Sequence, residues 1–144
     1  YRDLGVRFCE PFFLALQADI CVLAGDVEKG LSVIDKALQS AEETSETWYL
    51  AEMLRLRAML VETERGQSDN GSAMSICEGI QIATEQGAHL FALRAAIDLA
   101  QLRCGDGSRL VNQQFLLDIY NRWPKGYIAP ELKLAKLLLS SSQP

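Results

Sequence analysis

The segment Leu23–Leu38, LAGDVEKGLSVIDKAL, decides how the chain is read. An apolar helical run stops at Ala24-Gly25-Asp26, and a second amphipathic run begins at once. Glycine accepts the left-handed backbone that ends many helices, and an Asp directly after it suits an N-cap. Lys29 stands where a full capping box would have Glu, so Asp26 is expected to cap alone. Two helices joined by so short a turn run antiparallel, and they pack closely only if small side chains meet at the crossing. Ala18, Gly30 and Ala37 supply these, with Ile34 and Leu38 filling around them. A glycine inside a helix costs about 1 kcal/mol relative to alanine, so Gly30 points to close backbone approach.

Helical periodicity extends in both directions from this hairpin. Phe13, Leu16, Ile20 and Leu23 recur at three- and four-residue steps before Gly25, and Val27, Leu31, Ile34 and Leu38 do so after it. A longer helix is expected from about Glu46 to Glu64, with Trp48, Met53, Leu56, Leu60 and Val61 inward. The turn-forming stretch RGQSDNG follows, then a helix from about Ser72 to Gln86 that Gly87 ends. Further helices are expected over Leu90–Arg103, through RLVNQQFLLDIYNRW, and from about Pro130 to Ser140. Strand patterns are absent, and the fold class is all-α.

Small residues recur with a long period. Ala18 and Ala58 are 40 residues apart, Ala58 and Ala100 are 42 apart, and Ala37 and Gly79 are also 42 apart. A helix pair every 40 or so residues is the signature of stacked helical hairpins. About three units are expected, near 11–44, 46–87 and 88–123, with a terminal helix over 130–140, all in one domain.

Composition narrows the function. Apolar residues make up 49% of the 144 and charged residues 23%, ordinary for a soluble globular domain. A formal net charge of −5, with 14 scattered Lys and Arg, argues against nucleic acid as a partner. No apolar run reaches the roughly 20 residues that cross a bilayer. Four separated cysteines (Cys9, Cys21, Cys77, Cys104) and one histidine give no zinc-ligand pairs, and reduced, mostly buried thiols in a cytoplasmic protein are expected. The chain opens without Met and reads as a C-terminal piece of a longer protein.

LALQADICVLAGDVEKGLSVIDKALQSA resembles a tetratricopeptide (TPR) repeat, in which Ala18, Gly30 and Ala37 take the three small positions. Cys21 stands where that family has an aromatic, no proline closes the repeat near Glu42, and Asn112 occupies a third-unit position that should be small. The resemblance implies antiparallel hairpins stacked in a right-handed solenoid. A wider likeness covers nearly the whole chain. PFFLALQADICVLAGDVEKGLSVIDKALQSAEE, WYLAEMLRLRAMLVE, ATEQGAHLFALRAAIDLAQL and APELKLAKLLL resemble the C-terminal repeats of bacterial multidomain signalling proteins. Such proteins join an adenylate/guanylate cyclase or transcription-factor domain to a P-loop ATPase. The loop Trp123-Pro124-Lys125-Gly126-Tyr127 and the PELKLAKLLL helix after it carry the likeness most specifically.

No phosphate-binding G-x-x-x-x-G-K-[ST], no G-x-S-x-G and no H-E-x-x-H occurs. The segment is therefore expected to be non-catalytic and to need no cofactor, and His89 is expected to face solvent or cap a helix. The resemblance places function on a concave face lined by the first helices. There it implies Phe12, Ala15, Asp19 and Val22, then Glu52, Arg55, Met59 and Glu62, then Arg94, Ile97 and Gln101. The partner-binding candidates are Asp19, Glu52, Arg55, Met59, Glu62, Arg94 and Gln101. Arg55 and Arg94 together could clamp a carboxylate or acidic peptide, although Glu52, three residues before Arg55, offers a plain intrahelical pair. The apolar members could grip a partner helix or pack against preceding repeats. Around Trp48 and Tyr49, the acids Glu42, Glu43, Glu46 and Glu52 could dock a basic partner, or favour a helix N-terminus while the aromatics staple the hairpin. Two functional readings stay open: a module that binds protein, including other domains of its own chain, and a sensor whose groove binds a small effector.

Overall fold

The computed structural model describes residues 8–66, 70–102 and 106–141. They form seven helices and no strand: α1 (Glu10–Ala24), α2 (Val27–Thr44), α3 (Leu50–Arg65), α4 (Asn70–Glu85), α5 (His89–Gln101), α6 (Asp106–Asn121) and α7 (Glu131–Ser140). Cys104 and the start of the turn expected around it lie outside the described residues, as do 67–69 of the earlier turn.

The deciding turn forms as its residues dictate. Gly25 adopts φ 71°, and its N–H and that of Asp26 close onto the last carbonyls of α1. The Asp26 carboxylate accepts the Lys29 N–H at 3.3 Å and so starts α2. Gly66 and Gly87 end α3 and α4 in the same left-handed conformation.

Each helix packs on its successor from α1 to α7, and α1–α3, α3–α5 and α5–α7 also touch. Each odd-numbered helix therefore contacts the next one. Val33, Ile34, Ala37 and Ala41 of α2 bury Met53, Leu56 and Leu60 of α3. Ile76 and Ile80 of α4, Leu93 and Leu99 of α5, Leu116 of α6 and Ala135 of α7 belong to one further core cluster. The small residues do what the short turn requires. A Cβ on Gly30 would stand 3.2 Å from Cys21 Cβ of α1 and 2.7 Å from Leu60 Cδ2 of α3, and one on Gly79 would stand 3.1 Å from the Ala51 carbonyl oxygen.

Several expectations change. In α1 the buried residues are Pro11, Ala15, Ala18 and Cys21, while the periodic apolar set Phe13, Leu16, Ile20 and Leu23 faces outward. The small residues win the interior because only they let α2 approach. Trp48 lies before α3 and is largely exposed. Ala100 is only half-buried, and α5 matches α3 at an offset of 39 residues. Met53, Leu56 and Leu60 then correspond to Ala92, Ala95 and Leu99, all buried, and Arg55 corresponds to Arg94. Asn112, which breaks the small-residue pattern, donates its amide to the Leu99 carbonyl at 3.0 Å, satisfying an acceptor near the end of α5.

Candidate functional site

The odd-numbered helices bring together an ionic chain and an aromatic row. Arg55 of α3 grips Glu52, one turn earlier, with Nε and Nη2 at 3.1 and 3.0 Å. Its third nitrogen, Nη1, reaches Asp98 of α5 at 2.7 Å. Glu52 also stands 3.7 Å from Arg94 Nη1, and Arg94 Nε donates to Glu131 at the start of α7 at 2.8 Å. Two guanidinium groups and three carboxylates thus link α3, α5 and α7 in one network. Glu52 is its centre and is only 2% exposed. A carboxylate so deeply buried is tolerable when its oxygens are held in bidentate fashion by a planar guanidinium.

The charges act on each other. Burial disfavours the Arg55 cation, but Glu52 and Asp98 outweigh it and hold its pKa above the ordinary arginine value. Partial burial likewise works against the Glu131 carboxylate. Its backbone N–H bond and Arg94 prevail and pull its pKa below the usual carboxylate range. Burial raises the pKa of the Tyr49 hydroxyl, and the negative charges of Glu52 and Asp19 raise it further.

Tyr49 joins this network to the aromatic row. Its ring meets Phe12 edge-on at 5.0 Å and Phe91 edge-on at 5.3 Å, so α1 and α5 are linked through the start of α3. Trp48 lies 5.1 Å from Phe12. Edge-to-face contacts of this kind contribute about 0.5–1.5 kcal/mol each beyond burial. Trp48 and Tyr49 were expected to staple their own hairpin, but these ring contacts join the start of α3 to α1 and α5 instead. The neighbouring acids act differently: Glu42 and Glu43 fall in the last turn of α2, and Glu46 accepts the Cys9 N–H on both carboxylate oxygens at 3.0 and 3.1 Å.

Of the residues singled out from the sequence, Glu52, Arg55 and Arg94 converge. Asp19 lies within electrostatic reach of Tyr49. Met59 and Glu62 lie further along α3, half-buried, and Gln101 is exposed at the end of α5. Ala15 and Ile97 are buried in the core. Asp98, Glu131 and Phe91 were missed. Asp98 follows Arg94 by four residues and so carried a local pairing signal, which its true partner across the helices did not obey. Arg55 and Arg94 do converge on a carboxylate, but it is the chain's own Glu52.

Elsewhere, an open groove of about 940 Å³ runs between α4 and α6, lined by Met74, Cys77, Ile80, Phe115 and Ile119 with Arg122 among its polar residues. Burial raises the Cys77 thiol pKa. His89 is exposed at the first position of α5, and the Trp123 indole N–H donates to the Tyr127 carbonyl at 2.9 Å, closing the loop before α7. Among the described residues no group of three His, Cys, Asp or Glu side chains is placed to hold a metal ion, and no helix is long and apolar enough to cross a membrane.

No family profile and no solved structure matches the chain. It is similar to an uncharacterized protein of Rhizobium meliloti (strain 1021), at 32% identity over 101 residues. The match takes in 70% of this chain and 10% of that protein, so the chain corresponds to about a tenth of its relative's length.

Proposed function

We propose that the chain is a non-catalytic interaction or regulatory module of TPR-like hairpins, stacked in a right-handed solenoid within a multidomain bacterial signalling protein of the cyclase or ATPase kind. It acts in the cytoplasm on a protein partner, either other domains of its own chain or a separate protein, without nucleic acid, membrane or cofactor. The carrying observation is the network through Glu52. It ties successive odd-numbered helices side by side along one face, the cross-bracing that a stacked-hairpin scaffold needs in order to present a fixed surface. The similarity to a much longer protein also supports a modular role.

The test is made in the intact parent protein, by deleting this segment and, separately, by replacing Tyr49 and Phe91 with alanine. Lost partner binding or lost regulation with basal activity retained is the expected result. Unchanged binding and regulation after deletion, or turnover by the segment itself, overturns the proposal.

Effector sensing is the second reading, and the position of Arg94 favours it. That side chain is 36% exposed at the edge of the network, where an incoming carboxylate could compete with Glu131 for it. Arg94→Lys should then weaken effector binding while keeping the fold, because lysine cannot reproduce a bidentate fork.

A further inference from the structure

The outward stripe of α1 has a counterpart whose burial is visible. At the 40-residue offset between the first two units, Phe13, Leu16 and Ile20 correspond to Met53, Leu56 and Leu60. The positions facing each helix's own hairpin partner behave alike in both units: Pro11 and Ala51 are buried, as are Ala18 and Ala58. The other set does not. Met53, Leu56 and Leu60 are 0, 2 and 1% exposed, whereas Phe13, Leu16 and Ile20 are 63, 37 and 65% exposed. The difference has one cause. α3 has a preceding hairpin, whose α2 presents Val33, Ile34, Ala37 and Ala41 to it.

The α1 stripe is also preformed. Ala15, Ala18 and Cys21 hold the opposite face against α2, and the Ser40 hydroxyl to Glu10 and the Cys9 N–H to Glu46 fix its first turn. The helix therefore cannot roll to bury its outer face without opening the hairpin.

We infer that the α1 stripe of Phe13, Leu16 and Ile20 is a docking surface for another helical hairpin of this type. The docked second helix offers small and branched aliphatic residues as α2 offers them to α3. The inference rests on the repeat reading above and adds the surface and the chemistry of its partner. A second copy of the chain is a poorer fit: its α2 surface is already covered by α3, and α7 packs over α5 and α6 at its other end.

The test adds the missing kind of neighbour to the full chain. Residues 10–49 are duplicated in register ahead of Glu10, and Ile20→Asp is introduced in the original chain and in the inner copy of the duplicated one. The duplicated chain should gain helix in proportion to its length. Ile20→Asp should leave the melting temperature of the original chain nearly unchanged, yet lower that of the duplicated chain by at least ~5 °C, as charge burial in a core does. If the duplication adds no helix, the repeat reading itself fails. If it adds helix but Ile20→Asp is silent in the inner copy, only the docking surface is wrong. If light scattering finds the original chain dimeric and Ile20→Asp makes it monomeric, the face belongs to a second copy and the inference is overturned.

Discussion

Replacing Arg55 with alanine removes the main support of a carboxylate that has almost no access to water. Glu52 would lose hydrogen bonds at 3.0 and 3.1 Å and keep Arg94 at 3.7 Å. Asp98 would lose its 2.7 Å partner on the neighbouring helix. Removing one member of a buried pair costs about 3–5 kcal/mol, because the remaining charge stays desolvated. Arg94 and the partial exposure of Asp98 soften this, so a loss of about 3 kcal/mol is expected. Domains of this size are stable by about 5–15 kcal/mol and shift by about 2–4 °C per kcal/mol, so the melting temperature should fall by about 10 °C. Urea denaturation followed by far-UV circular dichroism measures the loss directly. Glu52→Gln with Arg55→Met removes both charges together and should recover most of the stability. A loss below about 1 kcal/mol for Arg55→Ala, or a double variant less stable than Arg55→Ala, would refute the reasoning.

Three other outcomes follow from single contacts. The Glu131 pKa lies below its unfolded value of about 4.3, so its contribution with Arg94 is complete above that pH and is lost as pH falls through the folded pKa. Arg94→Ala should therefore flatten the acid side of the stability profile, and an unchanged slope would contradict the pairing. Gly79→Ala should destabilise by about 1 kcal/mol despite the better helix propensity of alanine, because the new methyl meets the Ala51 backbone carbonyl and not a movable side chain. A rise in stability would show that the helices are not so close. Asn112→Ala should cost about 1–2 kcal/mol in the same assay by leaving the Leu99 carbonyl without its side-chain donor, and a neutral result would mean that water replaces it.

The helices and the first hairpin were legible because each signal was local. Gly25 and Asp26 specify a stop and a start by their own backbone and side-chain chemistry, and Gly30 announces a close approach whatever its partner. The burial of α1 was not legible. Its largest apolar residues recur with helical spacing, but periodicity reports that a helix has an apolar face and not what covers it. The site shows the same divide. Glu52 and Arg55 are three residues apart, so their pairing could be read from the sequence, whereas Asp98 and Glu131 enter through contacts spanning 43 and 37 residues. The pairing of Arg55 with Arg94 was legible, but the spacing of 42 drawn through Ala58 and Ala100 misaligned α5, since at the offset of 39 it is Ile97, three residues before Ala100, that takes the place of Ala58.

The central claim is that successive odd-numbered helices are braced side by side along one face. A double-mutant cycle between Arg55 and Asp98, with Arg55→Ala, Asp98→Ala and the combination compared by urea denaturation, tests it most directly. The account predicts a coupling of about 1–3 kcal/mol, as expected for a charge-assisted contact in a half-buried setting. Additive effects, with no coupling beyond about 0.3 kcal/mol, would contradict the arrangement of α3 against α5 on which the proposed scaffold depends.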